Sequence, residues 1–408
     1  MDSRRTGAVA TLVATRVVYA YNWYNVGAVL PLIGRSLHAS TAALGVVLGA
    51  FLIGVSLFQL PAGLASARYG PRGVSLAGVA LFGLAGVASA FSPNWQILAI
   101  LRFVGGIGAA FFFAPALSLI ASYFPGSERG PVIGLYNGGF SIGGALGLLG
   151  GATLGSVQGW AAALGYGGVA LLGATAVTWV VVPPPGATAA PESKAGLRSM
   201  GSAVLRSRSI WALSLAIAGF WAAVFIIAQY FVDYAQAIHP DWGLAPVALL
   251  AASVVLIAFP GGPIGGWIAE RGRDRRLLVG LAGLVTSLLV FAIPFASLAE
   301  LWPIFLAAGF FDGMTFAILY LIPTYLPETS GEGLALGVGV VNSIQVLVGS
   351  VIAVIFGVIA GSFGYTDAWL FAGAVSVGLL PLLFFVQPNR GRSVLSNRSG
   401  ADRAIPLE

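Results

Sequence analysis

The chain alternates long apolar stretches with short polar or glycine-rich connections along almost its whole length. Each apolar stretch has about 20 residues or more, the length at which an α-helix crosses a hydrocarbon core of about 30 Å. Apolar residues run continuously and not at every second position, so the pattern favours membrane helices over a membrane β-barrel. Twelve helices are predicted, and they start near Ala8, Thr41, Arg72, Trp95, Pro131, Ala161, Ile210, Leu244, Leu277, Trp302, Leu334 and Thr366.

Landmark glycines occur twice at one fixed spacing, which indicates a duplicated chain. Four pairs are each separated by 203 residues: Gly63 and Gly266, Gly106 and Gly309, Gly130 and Gly333, and Gly134 and Gly337. The members of each pair also occupy matching places in the hydrophobic pattern. The predicted fold is therefore an all-α membrane protein with twelve transmembrane helices in two pseudo-symmetric six-helix bundles.

The boundary between the predicted halves is a stretch rich in proline, small residues and basic residues. We expect residues 1–182 to form the amino-terminal bundle and residues 210–388 the carboxy-terminal bundle. Residues 183–209 are predicted to be a cytoplasmic linker. The polar, arginine-bearing residues 389–408 are predicted to be a disordered cytoplasmic tail.

Composition changes the picture by excluding whole classes of function. Hydrophobic residues make up 58% of the chain and charged residues 8%, and the chain contains no cysteine. Thiol catalysis and thiolate metal sites are therefore excluded. The glycine-rich segments follow no strand, and no phosphate-binding loop with a lysine is present. We predict no enzymatic activity, no ATP-driven pump, no cofactor and no metal site.

The net charge of +6 does not point to nucleic acid, because the basic residues are distributed asymmetrically. With the amino terminus in the cytoplasm, nearly every arginine falls in a cytoplasmic loop, and Arg35 alone lies clearly outside. The partner implied by this distribution is the lipid bilayer. We expect a multi-pass protein of the cell (inner) membrane with both termini in the cytoplasm, and we expect a monomer.

The loop after the second helix carries a recognisable pattern of glycine and arginine. It contains Gly63, Ala67, Arg68, Gly70 and Arg72. This pattern resembles the signature loop of the major facilitator superfamily, in which the position of Ala67 is acidic. The resemblance implies a latch that holds helices in one conformation through charge pairs and helix ends.

The second half contains a copy of this loop, with Gly266, Glu270 and Arg271. The copy keeps the acidic residue, as Glu270. Arg102, followed by Gly106 and Gly108 on the fourth helix, resembles another signature of the same superfamily. Together these resemblances imply a secondary transporter that rocks its halves around a central cavity.

Two further segments distinguish between the subfamilies that the chain could resemble. Proton-driven drug exporters of this superfamily usually carry a Gly-Pro pair in the fifth helix, and no proline interrupts residues 134–144 here. The sequence Tyr123, Phe124, Pro125, followed by Glu128 and Arg129, is more similar to uptake carriers for small anions and carboxylates.

Polar side chains within membrane helices are the candidates for substrate binding, since each must be paired or hydrated. Arg16, Tyr19 and Asn22 follow at three-residue spacing and are predicted to share one face. The alternatives are that Arg16 reaches back to the cytoplasmic interface and that Tyr19 bonds a neighbouring helix. Arg102 is predicted to face the cavity and attract an anion, or else to be a hydrogen-bonded arginine between helices. The other candidates are Tyr136, Asn137, Gln229, Tyr230, Tyr320, Asn342 and Gln345, for which interhelical hydrogen bonding is the alternative.

Two aspartates are predicted to lie inside the membrane and to couple transport to protons. Asp312 is the preferred proton carrier, because a carboxyl group shielded from water binds a proton more readily. The alternatives are an ion pair or helix-end contact for Asp312 and a place in the outer funnel for Asp233. Phe111, Phe112 and Phe113 are assigned to packing or lipid contact.

The leading hypothesis is a proton-coupled secondary transporter of a small organic or inorganic anion. A carboxylate is the preferred anion. Its small-molecule substrate is held by Arg102 with help from tyrosines and amides. The alternative is a proton-coupled exporter of drugs or lipophilic cations that exchanges a proton at Asp233 or Asp312.

Overall fold

The computed structural model describes residues 3–123, 129–184, 204–271, 274–322 and 333–386, and these ranges contain twelve long helices. Each helix begins within five residues of its predicted start. In chain order they are α1 (Ser3–Ser36), α2 (Thr41–Tyr69), α3 (Pro71–Ser89), α4 (Trp95–Tyr123), α5 (Arg129–Gln158), α6 (Trp160–Val181), α7 (Arg208–Ile238), α8 (Leu244–Glu270), α9 (Arg275–Ala292), α10 (Leu298–Leu321), α11 (Gly333–Ser362) and α12 (Tyr365–Leu379).

Ten of the described helices are long and apolar enough to cross a membrane. The other two are α1 and α10, which contain the polar candidates Arg16, Asn22 and Asp312. Helices α1–α6 and α7–α12 form two bundles. Across the boundary between them, α1 packs against α7, α2 against α11, and α5 against α8.

The two ends of the molecule differ in charge. Arg68, Arg72, Arg271 and Arg276 lie at the end where α1 begins, which we call the basic end. The opposite end, where α1 finishes near Arg35, is called the far end. The predicted linker falls largely in residues 185–203 and the predicted tail within residues 387–408, and both ranges are outside the described residues.

The duplication is visible in how helices cross. A Cβ atom added to Gly106 on α4 would lie 2.1 Å from the carbonyl oxygen of Phe51 on α2. A Cβ atom added to Gly309 on α10 would lie 2.1 Å from the carbonyl oxygen of Val254 on α8. Phe51 and Val254 are themselves 203 residues apart. Both halves therefore bring the same pair of helices into backbone contact at a glycine.

We expect Gly106→Ala and Gly309→Ala each to destabilise the fold by about 1–3 kcal/mol, because the helices must separate to admit a methyl group. Thermal unfolding in detergent measures this effect. Gly134→Ala is the matched control, since nothing lies within 4 Å of its added Cβ atom, and it should be neutral or stabilising. An equal loss of stability in all three variants would contradict the proposed close packing.

A second contact also repeats between the halves. Arg72 on α3 donates from Nε to the carbonyl oxygen of Val182, at 2.7 Å. Arg276 on α9 donates from Nη1 to the carbonyl oxygen of Val386, at 2.8 Å. In each bundle an arginine of the third helix thus binds the chain just beyond the sixth. The hydrogen-bonded Arg276 side chain also holds the pKa of Asp274 below its usual value.

The first loop of the predicted latch is open around its glycine and arginine. Nothing lies within 4 Å of a Cβ atom added to Gly63. Gly70 has φ +86°, a conformation that favours glycine, and it joins the end of α2 to the start of α3. Arg68 is exposed, with its guanidinium carbon 5.2 Å from the ring centre of Tyr69.

In the second loop, Arg271 folds back on its own helix. Its guanidinium carbon lies 3.4 Å from the ring centre of Trp267, and its Nη1 donates to the carbonyl oxygen of that residue. A Cβ atom added to Gly266 meets nothing within 4 Å. The side chain of Glu270 is outside the described part, so the latching role of both loops stays a prediction.

Candidate functional site

Arg16 lies inside a pocket of aromatic rings in the amino-terminal bundle. Its side chain is 5% exposed, and its guanidinium carbon is 4.5–5.1 Å from four ring centres. Those rings belong to Tyr19 on α1, Phe113 on α4, and Tyr136 and Phe140 on α5. Cation–π attraction between a guanidinium and such rings stabilises the charge where water is scarce. We call these five side chains the Arg16 pocket.

The Arg16 pocket holds hydrogen-bonding groups without partners. Among the described residues, Nε and Nη1 of Arg16 and the hydroxyl of Tyr136 find none. The Tyr19 hydroxyl lies close to the guanidinium and donates to the carbonyl oxygen of Ala109, at 3.3 Å. A buried donor without an acceptor costs about 1–3 kcal/mol. The pocket is therefore suited to a ligand that brings acceptor oxygens.

The prediction that Arg16, Tyr19 and Asn22 share one face was wrong. Asn22 turns toward α6, where its Nδ2 donates to the carbonyl oxygen of Gly167 at 2.8 Å. An α-helix has about 3.6 residues per turn, so each three-residue step falls about 60° short of a full turn. Two such steps carry Asn22 away from the face of Arg16 and into contact with a neighbouring helix.

Asp312 is placed on the inner face of α10. Leu301, Phe305 and Ala308, at helical spacing before it, are fully buried, and the ring of Phe305 packs 4.6 Å from that of Phe231 on α7. Asp312 itself is half-buried. This aspartate therefore lies on the side of α10 that faces the rest of the protein.

Tyr24 lies near both charged residues at the boundary between the bundles. Its hydroxyl is within electrostatic range of Asp312 and of Arg16. Its ring centre is 5.7 Å from that of Phe140, a member of the Arg16 pocket. The arrangement brings a cation of the first half and a carboxyl group of the second half to one central region.

Amide side chains also join the two halves. Gln229 on α7 donates from Nε2 to the carbonyl oxygen of Trp23, at 3.1 Å. Asn342 on α11 donates from Nδ2 to Oε1 of Gln59 on α2, at 2.8 Å. Both candidates thus make the interhelical hydrogen bonds that were left open as the alternative, and both bonds cross between bundles.

The remaining candidates lie on α5, α7, α10 and α11. They differ in whether their polar atoms find hydrogen-bond partners. Tyr230 is buried and donates to the carbonyl oxygen of Ala353, at 2.8 Å. Gln345 is 2% exposed, and its Oε1 finds no partner among the described residues. Asn137 is half-buried. The side chain of Tyr320 lies outside the described part.

Arg102 is placed within the amino-terminal bundle, between α1, α2 and α4. It is 6% exposed, its guanidinium carbon lies 4.2 Å above the ring of Phe51, and Nη1 donates to the carbonyl oxygen of Asn22 at 3.4 Å. All of these contacts belong to one bundle. Such interhelical contacts are those of the alternative role, and a cavity role for Arg102 stays a prediction.

Asp233 lies near the far end of α7, well away from the Arg16 pocket. It is 7% exposed and accepts a hydrogen bond from the hydroxyl of Tyr365 at the start of α12. It also interacts electrostatically with Arg35 at the end of α1. Its surroundings are thus polar and lie at the meeting point of the two bundles.

Sequence reasoning missed Tyr24, Phe113 and Phe140 as members of the central region, and Gln59 as the partner of Asn342. Tyr24 follows Arg16 by eight residues, which places it about 80° around the helix and within the same broad stripe of its surface. That signal was available for Tyr24. For the two phenylalanines no signal existed, because an aromatic residue in a membrane helix usually contacts lipid or another helix.

The chain matches known proteins along most of its length. A family model described as the Major Facilitator Superfamily matches residues 12–344. The probable sulfoacetate transporter SauU of Cupriavidus necator is 24% identical over 392 residues, which cover 88% of this chain and 89% of that protein. The 4-hydroxybenzoate transporter PcaK of Pseudomonas aeruginosa is 34% identical over 143 residues, which cover 35% of this chain and 32% of that protein.

A solved structure shares the fold. The inward-facing, unoccupied bacterial homologue of the human lysosomal transporter Spinster superposes with a TM-score of 0.74 at 19% identity. The match covers 95% of this chain and 96% of that one.

Proposed function

The chain belongs to the major facilitator superfamily, and we propose that this transporter carries a small organic or inorganic anion by proton-coupled alternating access. A carboxylate is the preferred substrate class. The observation that carries the proposal is the Arg16 pocket, in which Nε and Nη1 of a buried guanidinium find no partner among the described residues. A carboxylate accepts charge-assisted hydrogen bonds from such donors. Two relatives named as anion transporters support the same class.

The aromatic rings set the rest of the substrate site. Phe113 and Phe140 are half-buried, so they offer apolar surface beside the charge of Arg16. A small organic anion places its charged group on the guanidinium and its carbon skeleton against these rings. Tyr136 adds a hydroxyl that has no partner among the described residues. Gln345 is proposed as a further contact from the second half.

Asp312 is proposed as the proton carrier because it is within electrostatic range of Tyr24, whose ring packs beside Phe140 of the Arg16 pocket. An ionised Asp312 near Tyr24 attracts Arg16 and repels an incoming anion. A protonated Asp312 leaves the positive charge of Arg16 free to attract the anion. Anion and proton are therefore expected to bind together and to move in the same direction.

Orientation is proposed from charge. The arginines of the basic end support the proposal that this end, and with it both termini, faces the cytoplasm from the inner membrane. Rocking of α1–α6 against α7–α12 then exposes the Arg16 pocket to one side at a time. The loops around Arg68 and Arg271 are proposed to latch one of the two states. We propose that the monomer is the working unit.

Counterflow in vesicles that contain the purified protein tests this function. Vesicles are loaded with sulfoacetate, 4-hydroxybenzoate or tetraphenylphosphonium, and entry of the same labelled compound is followed at equal pH. We expect exchange of at least one anion and no exchange of the cation. Exchange of the cation alone would replace the proposal with a drug or lipophilic-cation exporter.

A further inference from the structure

A cavity of about 480 Å³ opens at the basic end, between the first turns of α1 and α3 and the end of α6. It is lined by Gly7, Arg72 and residues 180–184. Its volume falls within the range of about 300–1,000 Å³ that is typical of ligand pockets. Arg72 is the one charged side chain in this lining, so the cavity favours a negatively charged ligand.

The guanidinium of Arg72 is held in a fixed place by backbone and ring contacts. Nε donates to the carbonyl oxygen of Val182 at 2.7 Å, and Nη2 donates to that of Trp179. The guanidinium carbon lies 5.3 Å from the ring centre of Trp179. The hydroxyl of Tyr123 donates to the carbonyl oxygen of Pro183 and so fixes the neighbouring wall. These partners orient the guanidinium, but none of them carries a negative charge.

The corresponding arginine of the second half has a carboxylate partner inside the protein. Arg276 forms an ion pair with Asp274 at 3.0 Å, and Asp274 is the N-cap residue of α9. The N-cap residue of α3 is Gly70, which has no side chain to offer. The described part of the first half contains no acidic residue. The positive charge of Arg72 therefore lacks the internal compensation that its counterpart has.

The cavity lies at the level of the lipid headgroups. Helix α6 has 22 residues, and at about 1.5 Å per residue it spans roughly the thickness of the hydrocarbon core. Trp179 and Val180, near its end, are 64% and 81% exposed. Tryptophan is enriched at this level of the membrane, where its ring meets both lipid and water. A phosphate that carries acyl chains covers this apolar rim, whereas a free anion leaves it bare.

We propose that the cavity around Arg72 binds the phosphate group of an anionic phospholipid from the leaflet at the basic end. The phosphate oxygens accept charge-assisted hydrogen bonds from the guanidinium. The acyl chains lie along the exposed side of α6. An anionic lipid is preferred to phosphatidylcholine, because the choline group of the latter already compensates its own phosphate. This site is distinct from the Arg16 pocket and holds a lipid that is not transported.

Native mass spectrometry of the purified protein tests the site. Binding is measured as phosphatidylglycerol or phosphatidylcholine is added to the detergent solution. We expect the wild type to bind phosphatidylglycerol more tightly, and Arg72→Gln to lower that affinity about tenfold, since a hydrogen bond to a charged group is lost. Arg72→Lys keeps the charge and should retain most of the preference.

Arg276→Gln is the matched control, because Arg276 also binds the backbone beyond the sixth helix of its bundle but has an internal carboxylate. It should leave the affinity for phosphatidylglycerol unchanged. An equal loss in Arg72→Gln and Arg276→Gln, or equal binding of the two lipids by the wild type, would overturn the proposal.

A second pair of variants decides the matter if Arg72→Gln fails to fold. Nothing lies within 4 Å of a Cβ atom added to Gly7, so the cavity wall has room for a side chain there. Gly7→Glu supplies a carboxylate inside the cavity and should lower the affinity for phosphatidylglycerol. Gly7→Gln has the same size without the charge and should retain more of it. Equal affinities in these two variants would contradict a charge-selective site.

The source of the phosphate is tested separately by thermal unfolding in detergent. A ligand that binds the folded state raises its apparent stability. We expect phosphatidylglycerol to raise the unfolding temperature of the wild type more than that of Arg72→Gln, and inorganic phosphate to leave both unchanged. Stabilisation of the wild type by inorganic phosphate and not by phosphatidylglycerol would replace the lipid with a soluble anion and overturn the proposal.

Discussion

Replacing Arg16 by glutamine is expected to lower anion exchange at least about 100-fold while folded protein remains in the membrane. The guanidinium supplies the charge and the donors that hold a carboxylate, and glutamine keeps part of the volume without the charge. Arg16→Lys keeps the charge and loses the planar guanidinium with its several donors, so partial exchange is expected. Counterflow in vesicles, normalised to the amount of folded protein, measures both effects.

Arg102→Gln is the matched control for that prediction, since both arginines are buried in the first bundle. Arg102 contacts Phe51 and the backbone of Asn22, so its loss should lower thermal stability while the folded fraction still exchanges anion. Loss of exchange in Arg102→Gln together with retained exchange in Arg16→Gln would contradict this assignment. That result would indicate that Arg102 binds the substrate.

Replacing Asp312 by asparagine is expected to abolish accumulation driven by a pH gradient and to leave counterflow at equal pH in place. Asparagine resembles the protonated carboxyl group but cannot release a proton. One pH unit corresponds to 1.36 kcal/mol, so a one-to-one carrier accumulates its substrate about tenfold against that gradient. The variant should reach only the external concentration.

Glu300→Gln serves as the control for Asp312→Asn, because Glu300 is an exposed acid at the far end. It should accumulate anion normally. Accumulation that survives in Asp312→Asn and is lost in Asp233→Asn would place proton coupling at the far end and contradict the assignment to Asp312.

The helices and the duplication could be predicted because both depend on local or repeated features. A membrane helix requires about 20 apolar residues, so the helix starts follow from the positions of the apolar stretches along the chain. The repeated pair Gly106 and Gly309 indicated the duplication, and in the structure both glycines lie at helix crossings where backbones approach closely. The domain limits and the cytoplasmic location of both termini stay predictions.

The assignment of the central residues could not be predicted to the same degree. Arg16 and Arg102 look equivalent in the sequence, as single arginines within apolar helices. Which of them meets aromatic rings near the second half depends on how α1, α4 and α5 pack. Asn22 illustrates the limit, because two three-residue steps turn it about 120° away from Arg16 and toward α6.

Accessibility of position 24 tests the central claim most directly, because Tyr24 is within electrostatic range of both Arg16 and Asp312. Tyr24→Cys would be the only cysteine in the chain, and a small water-soluble thiol reagent reports whether water reaches it. We predict that the reagent modifies this cysteine and that the transported anion slows the reaction in a concentration-dependent way. A cysteine that stays unmodified, or one that reacts equally fast with and without the anion, would contradict a shared substrate site between the two halves.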